Sequence, residues 1–258
     1  MSVEYTLVGD VAVVTLARAD RFNAIETTLS SGVVDAVARA ADEARALVLT
    51  GSGKAFCAGA DLTELIADYE ARGPKLGDIL DRIFHPVVAA LVDAPVPTVA
   101  AINGVAAGAG LGLALACDIR IAAEAATFVS AFTGIGLVPD SGSTWGLAAT
   151  IGVGRALEMT MTNRRLDARE AVAWGLCAEV VPDDVLRDRA MAVAGALADL
   201  APDALVTTRR LIREAVVTPF SRALAAEREQ QDRLGRAPAH MEGVRAFVEK
   251  RKPNYRAV

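Results

Sequence analysis

Apolar residues near the N-terminus fall into short runs that predict strands and one helix. Residues 5–8 and 11–16 are β-branched and apolar runs separated by a Gly-Asp pair, so they predict a hairpin. Over residues 27–44 the apolar positions recur at helical spacing, which predicts an amphipathic helix. The apolar run 46–50 predicts a buried strand, and the order strand, helix, strand predicts a right-handed crossover with parallel pairing.

A longer uncharged stretch, residues 98–117, combines two patterns. Residues 98–102 predict a buried strand, and Gly108, Gly110 and Gly112 then open a run of Ala and Leu that is typical of a buried helix. A helix start presents unpaired backbone N–H groups with the positive end of the helix dipole behind them. The stretch therefore predicts a strand, a glycine turn and a helix start that can hold an anion or a developing oxyanion.

The same stretch has three other interpretations. A membrane-spanning helix would suit its lack of charge and its G-x-x-x-G spacing, but an Asn-Gly pair interrupts it and no basic cluster flanks it. A dinucleotide fingerprint would need glycine at Leu113, so that match fails. The third interpretation is that the glycines serve only close packing between helix and strand, and the sequence leaves it open.

Residues 51–65 read GSGKAFCAGADLTEL and predict a second strand, glycine loop and helix, with the helix over residues 62–69. Asp61 can cap that helix, which places the Ala60 amide at its mouth. If the two loops face each other, two backbone N–H groups converge as a thioester enolate requires. The alternative is that both are ordinary packing turns.

Composition narrows the class of ligand. The chain has 258 residues, 53% of them hydrophobic, which suits one large domain or one domain with a small appendage. A net charge of −5 without a Lys/Arg-rich run argues against nucleic acid and against an anionic membrane surface. We therefore expect a small-molecule ligand.

Cysteine and histidine usage predicts neither disulfides nor a metal site. The three cysteines are far apart without a C-x-x-C pair, and His85 and His240 are the only histidines. The N-terminal residues carry acids and lack a basic region of the signal-peptide type. We expect a cytoplasmic protein without a metal.

The remainder of the chain predicts mostly helix. Asp167 and Glu170 form a capping-box pattern for a helix over 168–174, and residues 178–181 predict a short strand. The charged face of the later helices alternates acids with bases, which is typical of a solvated surface. Further helices are predicted over residues 78–91, 184–200, 202–216, 221–234 and 241–250.

KAFCAGADLTEL and AAINGVAAGAGLGLALACD, together with IGLVPDSGSTW and EGVRAFVEKRKP, resemble the enoyl-CoA hydratase/isomerase family, also called the crotonase family. The resemblance implies an α/β fold: a crotonase-like ββα spiral core over residues 1–183, for acyl-CoA binding and catalysis, and a C-terminal α-helical trimerisation segment over 184–258. It also implies an acyl-CoA substrate, no metal or nucleotide cofactor, and a homotrimer or dimer of trimers.

Residue by residue, the family's oxyanion amides correspond to Ala60 and Ala109. The second of these positions is usually glycine, so Ala109 narrows the approach to its amide. In the family, the tail of a neighbouring subunit completes the coenzyme A site. The coenzyme A contacts implied by the resemblance are Ala24, Lys54, Ala58, Asp61 and Leu62, with Phe247 and Lys250 from the neighbour's tail.

Hydratases of the family use two glutamates, and these correspond to Gly112 and Phe132. Without two carboxylates, the acid and base roles that hydration requires cannot be divided at those positions. Asp140 is the carboxylate that remains, and the epoxyphenylacetyl-CoA isomerases share its surroundings. We expect Asp140 to act as the acid/base, with Val138, Phe132 and Trp145 forming an apolar pocket that raises its pKa. From local sequence alone, the N-cap of the following helix is the preferred role of Asp140, and the resemblance reverses that preference.

Other chemistries remain open. In the chlorobenzoyl-CoA dehalogenases of the family the aspartate is a nucleophile, and His85 falls on the histidine that activates water; Phe132 and Ala60, however, depart from the dehalogenase pattern. His85 can instead be a packing or capping residue. The DSGS motif lacks a nucleophile elbow and a triad. The expected function is an acyl-CoA isomerase, with an enoyl-CoA hydratase, a dehalogenase or hydrolase, and a non-catalytic acyl-CoA binder as alternatives.

Overall fold

The structure is a computed structural model that describes residues 2–63 and 76–258. It begins with the antiparallel hairpin of β1 (Val3–Val8) and β2 (Val11–Leu16). Helix α1 (Thr27–Glu43) follows, and β3 (Ala46–Gly51) then pairs in parallel with β2. The predicted hairpin, helix and parallel crossover are therefore confirmed.

Helix α1 begins after Glu26, whose side chain accepts hydrogen bonds from N–H groups of the first helical turn that have no backbone acceptor. The Glu26 carboxylate accepts hydrogen bonds from the N–H groups of Thr28 and Leu29, both at 2.7 Å. The apolar face that periodicity predicts is buried, and Leu29 is fully covered. Truncating such a core leucine to alanine costs about 2–5 kcal/mol.

Two sheets organise the core. The larger sheet has the order β1-β2-β3-β5-β7-β10, with β5 (Thr98–Ile102), β7 (Ile119–Ala123) and β10 (Glu179–Val181) continuing in parallel. Both faces of its central strands are buried, which explains their continuous apolar runs. The strands predicted over 98–102 and 178–181 are present.

The smaller sheet was not predicted. Its strands are two or three residues long, too short to show a period of two, and glycines adjoin several of them. Parallel pairing joins β4, β6 and β8, and β9 is antiparallel. Its order is β4 (Ala55–Cys57), β6 (Val105–Ala107), β8 (Thr127–Val129), β9 (Leu166–Asp167).

The helices lie close to their predicted positions. One difference is a π-helical turn, Leu80–Phe84, which inserts a residue into the helix predicted over 78–91 and separates its two α-helical parts. Another is that only half of the predicted capping box forms, because the Glu170 carboxylate pairs with Arg164 while Asp167 accepts from the Glu170 N–H. The helices are α2 (Leu76–Ile79), α3 (His85–Val92), α4 (Ala109–Ala116), α5 (Ser143–Met161), α6 (Ala168–Trp174), α7 (Leu186–Ala198), α8 (Pro202–Ala215), α9 (Phe220–Leu234) and α10 (Pro238–Val248).

Helix α7 covers one face of the larger sheet. Its buried residues, Leu186, Ala190, Ala194 and Ala198, form an apolar cluster with residues of β2, β3, β5 and β7. The first helix of the predicted C-terminal segment therefore packs on the predicted core. The division at residues 183 and 184 stays a prediction.

Part of the helix predicted over 62–69 lies outside the described residues, from position 64 onward. Within the described ranges no single helix is long and apolar enough to cross a membrane, whereas the bent pair of α7 and α8, with axes at 104°, meets the length and composition requirement jointly. The uncharged stretch 98–117 folds as β5, β6 and α4 and is not one helix. The predicted α/β class is confirmed.

Candidate active site

The two glycine loops pack directly against each other. A Cβ atom placed with ideal geometry on Gly110 would lie 2.1 Å from the carbonyl oxygen of Cys57, and one on Gly59 would lie 2.9 Å from that of Ala107. Gly59 also has φ +97°, a conformation that side chains disfavour. Gly110 and Gly59 therefore serve close packing between the loops, and this packing brings Gly59 next to the Ala109 amide, 3.5 Å from that ideal Cβ. An ideal Cβ on Gly108 has no neighbour nearer than 3.7 Å, so close packing does not account for every glycine of the stretch.

Ala60 and Ala109 both present a backbone N–H without an acceptor in the described part of the chain. On either side of Ala60, the Gly59 carbonyl accepts from the Ile25 N–H at 2.6 Å and the Asp61 N–H donates to the Ile25 carbonyl at 3.0 Å. This pairing holds the loop and leaves the Ala60 N–H unused. Ala109 is the first residue of α4, where an N–H has no partner within the helix.

One cavity of about 350 Å³ is lined by both alanines and by Asp140. Its other lining residues are glycines and apolar side chains, among them Leu80, Phe84 and Phe132. Among the described residues that line it, Asp140 is the only one with an ionisable side chain. The structure thus brings the predicted oxyanion amides and the predicted acid/base together.

Asp140 lies on a turn, half-buried, and does not cap the next helix. Helix α5 begins at Ser143, and its N-cap residue is Gly142, which has no side chain to offer. The Asp140 Oδ1 atom accepts a hydrogen bond from the Ser141 hydroxyl at 2.7 Å. Burial raises the pKa of Asp140, while the Ser141 hydrogen bond and the His85 charge act in the opposite direction.

Two of the three apolar neighbours predicted for Asp140 are correct. Phe132 and Val138 line the cavity, and Phe132 is buried. Trp145 was wrongly assigned, because it lies in the first turns of α5 and borders two other clefts beside α8. The helical turn that follows Gly142 carries it away from the Asp140 side of the chain.

His85 lies beside the site and outside the cavity lining. Its Nδ1 atom is 2.9 Å from Asp81 Oδ1, one helical turn earlier, and 52% of its side chain is exposed. The structure therefore places His85 near enough to act on Asp140 through its charge. A catalytic role for His85 stays a prediction.

The predicted coenzyme A contacts of the core divide into two groups. Ala58 and Leu62 are exposed and line the cavity. Asp61 is buried, and its carboxylate accepts from the Thr63 hydroxyl at 2.6 Å and from Arg18 at 2.8 Å. These contacts, that of Thr63 first, lower the pKa of Asp61. Asp61 therefore fixes its own loop.

Ala24 and Lys54 do not line the cavity. Ala24 is buried and its carbonyl accepts from Arg18 Nη1 at 2.6 Å. Lys54 is exposed immediately before β4. Their contact with coenzyme A stays a prediction.

Sequence reasoning missed two residues that hold the loops. Arg18 joins Ala24 to Asp61, as described above. Asn23 is fully buried with φ +56°, and its side-chain amide donates to the carbonyls of Ala55 at 2.8 Å and Phe56 at 3.2 Å. An asparagine in a short loop between two elements is a weak signal of such a left-handed position, because asparagine tolerates it.

Phe247 and Lys250 are not brought to this cavity within the single chain. Phe247 is 85% exposed and borders a different cleft of about 460 Å³ among α8, α9 and α10. Lys250 follows α10 and is exposed. Their predicted contact with a neighbour's ligand stays a prediction.

In the residues that the structure describes, no three His, Cys, Asp or Glu side chains are arranged to hold a metal ion. The three cysteines are buried, and burial raises the pKa of each thiol to about 12. The independence from metals and nucleotide cofactors stays a prediction.

Comparison with known proteins agrees with the geometry. The family model described as Enoyl-CoA hydratase/isomerase matches residues 7–257. A Rhodobacter capsulatus protein named "Probable enoyl-CoA hydratase" is 40% identical over 254 residues, 98% of this chain and 97% of its own. The 1,2-epoxyphenylacetyl-CoA isomerase of Escherichia coli is 38% identical, over 95% and 94% of the two chains. Among solved structures, an enoyl-CoA hydratase from Bacillus anthracis superposes with a TM-score of 0.91 at 32% identity, over 99% of both chains.

Proposed function

The chain belongs to the enoyl-CoA hydratase/isomerase family, and from that premise we propose that it is an acyl-CoA isomerase that uses Asp140 as its one acid/base group. The observation that carries the proposal is the cavity itself. It combines two unused backbone N–H groups with a single ionisable side chain, Asp140, among its described lining residues.

In the proposed mechanism, the thioester carbonyl oxygen accepts hydrogen bonds from the Ala60 and Ala109 N–H groups. When the C2–H bond breaks, its electron pair enters the enolate and negative charge develops on that oxygen. Fixed donors in a largely apolar cavity stabilise this charge without having to reorganise. The start of α4 adds the positive end of its dipole.

Asp140 completes the reaction by moving one proton. Its carboxylate takes the proton from C2 of a 3-enoyl thioester and, as a carboxylic acid, returns it to C4 of the dienolate. The double bond moves into conjugation, and the enzyme returns to its starting state with no net gain or loss of atoms or electrons. Burial suits this role, because it raises the pKa of Asp140 toward neutral pH, where one group can both take up a proton and give it back.

The residues at the two hydratase positions support an isomerase over a hydratase. Phe132 puts an apolar ring in the cavity where the family's hydratases have a carboxylate, and Gly112 has no side chain. Hydration is nevertheless the second candidate, because relatives such as the Rhodobacter capsulatus protein carry that name.

Parallel assays separate the candidates. We expect the purified protein to convert a 3-enoyl-CoA to the conjugated 2-enoyl-CoA, measured by the absorbance of the conjugated thioester. We also expect negligible hydration of crotonyl-CoA. Crotonyl-CoA turnover near that of a good hydratase, without double-bond migration, would overturn the proposal.

Two further readouts address the remaining alternatives. Release of free coenzyme A from acyl-CoA or halobenzoyl-CoA thioesters, or release of halide, would indicate Asp140 acting as a nucleophile. Calorimetric binding of a panel of acyl-CoA esters with no turnover of any of them would indicate a non-catalytic binder. The same panel narrows the acyl group.

We further propose that the functional unit is a homotrimer or a dimer of trimers, assembled through the C-terminal helices. Large apolar side chains that are exposed in the single chain support this assembly, among them Phe247, Val248 and Val217, at 85%, 73% and 71% exposure. In the assembly, Phe247 and Lys250 of one subunit would reach the coenzyme A portion bound by its neighbour. Light scattering at micromolar concentration tests the oligomeric state.

A further inference from the structure

Gly112 is packed against the turn that carries Asp140. An ideal Cβ atom on Gly112 would lie 2.6 Å from the Ser141 carbonyl oxygen, 2.8 Å from the Ser141 Cβ and 3.3 Å from the Ser143 hydroxyl. The first two distances are shorter than real Cβ contacts. The second turn of α4 therefore accepts this turn only because position 112 has no side chain.

The turn itself has a tight and unusual backbone. Ser141 and Gly142 have φ +53° and +74°, and the Ser143 N–H donates to the Asp140 carbonyl at 2.9 Å, which is the geometry of a type I′ turn. Left-handed φ is uncommon for a residue other than glycine. Ser141 is nevertheless buried there, at 2% exposure, so its surroundings hold it in place.

The Ser141 hydroxyl makes the one hydrogen bond to the Asp140 carboxyl group that the described residues contain. It occupies Oδ1 at 2.7 Å, and no donor to Oδ2 lies among the residues that the structure describes. The neighbouring Ser143 is equally buried, but its hydroxyl has no partner among the described residues. Both serines of the turn are therefore buried, and of their two hydroxyl groups that of Ser141 alone bonds the Asp140 carboxyl group within the described residues.

We propose that Ser141 is the positioning residue of Asp140 and that Gly112 is the specificity-determining position that admits it. The empty position 112 lets the 140–143 turn pack on α4, where the Ser141 hydroxyl fixes Oδ1 and leaves Oδ2 to carry the proton. This inference rests on the proposed role of Asp140 as the acid/base. It also implies that Gly112 is more than a lost carboxylate, since a glutamate restored there would displace the turn.

The inference predicts a directional effect on the titration of Asp140. The Ser141 hydrogen bond stabilises the carboxylate, so its removal raises the pKa of Asp140 further. Burial already raises that pKa, and His85, which faces the turn and pairs with Asp81, opposes the rise. The burial of Asp140 and the His85 side chain are both expected to be unchanged in a Ser141 variant.

The test is a titration of Asp140 by carbon-13 NMR of aspartate-labelled protein, with the resonance assigned from its loss in Asp140→Asn. Ser141→Ala is expected to move the midpoint to higher pH, and Ser143→Ala, from the same buried turn, is expected to leave it in place. With a 3-enoyl-CoA, Ser141→Ala is expected to lower kcat about tenfold with KM little changed, and to shift the acidic limb of the pH profile upward. Equal midpoints in the two alanine variants overturn the inference.

Ser141→Gly covers the case in which the alanine variant does not fold, because glycine accepts the left-handed φ and still lacks the hydroxyl. The same upward shift of the midpoint is expected.

Gly112→Ala is expected to lower kcat by at least about tenfold by displacing the turn. The control is Gly195→Ala, in α7, which has nothing within 4 Å of its ideal Cβ. Unchanged turnover in Gly112→Ala overturns the proposed role of Gly112 in admitting the turn. Since the NMR titration needs no substrate, a wild-type protein without isomerase turnover refutes the proposed function separately.

Discussion

The two halves of the cavity are built in opposite ways. The amide half consists of backbone from two loops whose glycines leave no room for a side chain, at Gly59 against Ala107 and at Gly110 against Cys57. The carboxylate half consists of one side chain, Asp140, on a turn held by a hydroxyl and by the gap at Gly112. A backbone donor persists whatever residue occupies its position, unless that residue is proline, whereas the carboxylate depends on a single side chain.

This difference indicates where the type of reaction is set. The amides stabilise any thioester enolate, so they specify the substrate class and not the product. The product depends on which proton donors and acceptors surround the enolate, and these are side chains of the second half. Substitutions in the two halves should therefore have distinguishable effects.

The largest effect is expected from Ala109→Pro, which removes one donor of the amide half. Ala109 is the first residue of α4, a position that proline tolerates because its N–H has no helical partner. Loss of one oxyanion donor lowers kcat by about a hundredfold to a thousandfold. Steady-state turnover of a 3-enoyl-CoA measures it.

Ala168→Pro is the matched control. Ala168 is the first residue of α6, and like Ala109 it is buried, but it does not line the cavity. Equal losses in the two proline variants would mean that the Ala109 effect is structural and that the amide half contributes no donor there.

The next largest effect is expected from Asp140→Asn, which changes only the carboxylate half by replacing the carboxylate with a neutral amide. Turnover should fall by at least about a hundredfold, the low end of the contribution of a general base, with little change in coenzyme A ester affinity. In the wild type, kcat/KM should fall as the pH drops through the raised pKa of Asp140, because the base must be ionised. That acidic limb should be absent from the residual activity of the variant.

Thermal unfolding of Asp140→Asn provides the control for stability. Because its folded pKa is raised, Asp140 favours folding most at low pH and costs stability as the pH rises through that pKa. At neutral pH the neutral amide removes this cost, so Tm should stay equal or rise. A lower Tm with turnover per folded molecule intact would make Asp140 a structural residue.

A smaller effect is expected from Arg18→Met, which tests the support of the amide half. Arg18 and Asp61 form an ion pair with side-chain exposures of 20% and 8%, so the free energy of unfolding should fall by about 3 kcal/mol, the low end for breaking a buried pair. The Thr63 hydrogen bond and, after it, the contact with Arg18 lower the pKa of Asp61, so both stabilise the fold above the unfolded carboxylate's pKa and cease to do so as the pH falls through the folded value. The deficit of the variant should therefore shrink in acid.

Denaturant unfolding measures this effect. Arg169→Met removes an arginine from a pair with side-chain exposures of 80% and 54%, and it should cost at most about 0.5 kcal/mol. If both methionine variants were equally mild, the loop of Gly59 and Ala60 would not depend on Arg18.

The smallest effect is expected from Phe247→Ala, which lies in neither half of the cavity of its own chain. We expect about a tenfold loss of coenzyme A ester affinity and weaker assembly, as for a single aromatic contact at an interface. Leu7→Ala, from an exposed position on β1, is the control. A monomer that still binds coenzyme A esters tightly would contradict the proposed role of the tail.

Sequence patterns predicted the longer helices and strands, which carry a repeating or continuous apolar pattern. They missed the short strands, which exist only through their pairing with other strands. The run 98–102 and the helical spacing of 27–44 became β5 and α1 because each buries a continuous apolar face. The strands β4, β6 and β8 have three residues each and are defined by pairing with one another, which no local pattern encodes.

The site followed the same rule. The glycine loops that carry Ala60 and Ala109 could be recognised from local sequence, whereas the assignment of Asp140 depended on the family resemblance, because its local sequence alone favours a helix cap. Arg18 and Ser141 could not be recognised, since their roles depend on partners brought together by the fold: Asp61 is 43 residues from Arg18, and Ser141 acts through a gap on α4. Trp145 was misplaced because the direction of a helix after a left-handed turn is not a property of its sequence alone.

Two arginines of α8 tie the far end of α4 and the segment between α3 and β5 to a part of the chain that is synthesised much later. Arg213 donates to the Ala116 carbonyl at 2.7 Å, 97 residues earlier, and Arg209 donates to the Ala94 carbonyl at 2.7 Å, 115 residues earlier. A buried carbonyl at a helix end needs a partner. On the ribosome, the helix that presents the Ala109 amide is therefore incompletely anchored until α8 has emerged, and a nascent chain stalled before Arg209 should be cleaved by protease near α4 while one stalled well past Arg213 resists. We therefore expect the cavity to be completed late in translation, after all the strands of the larger sheet have been synthesised.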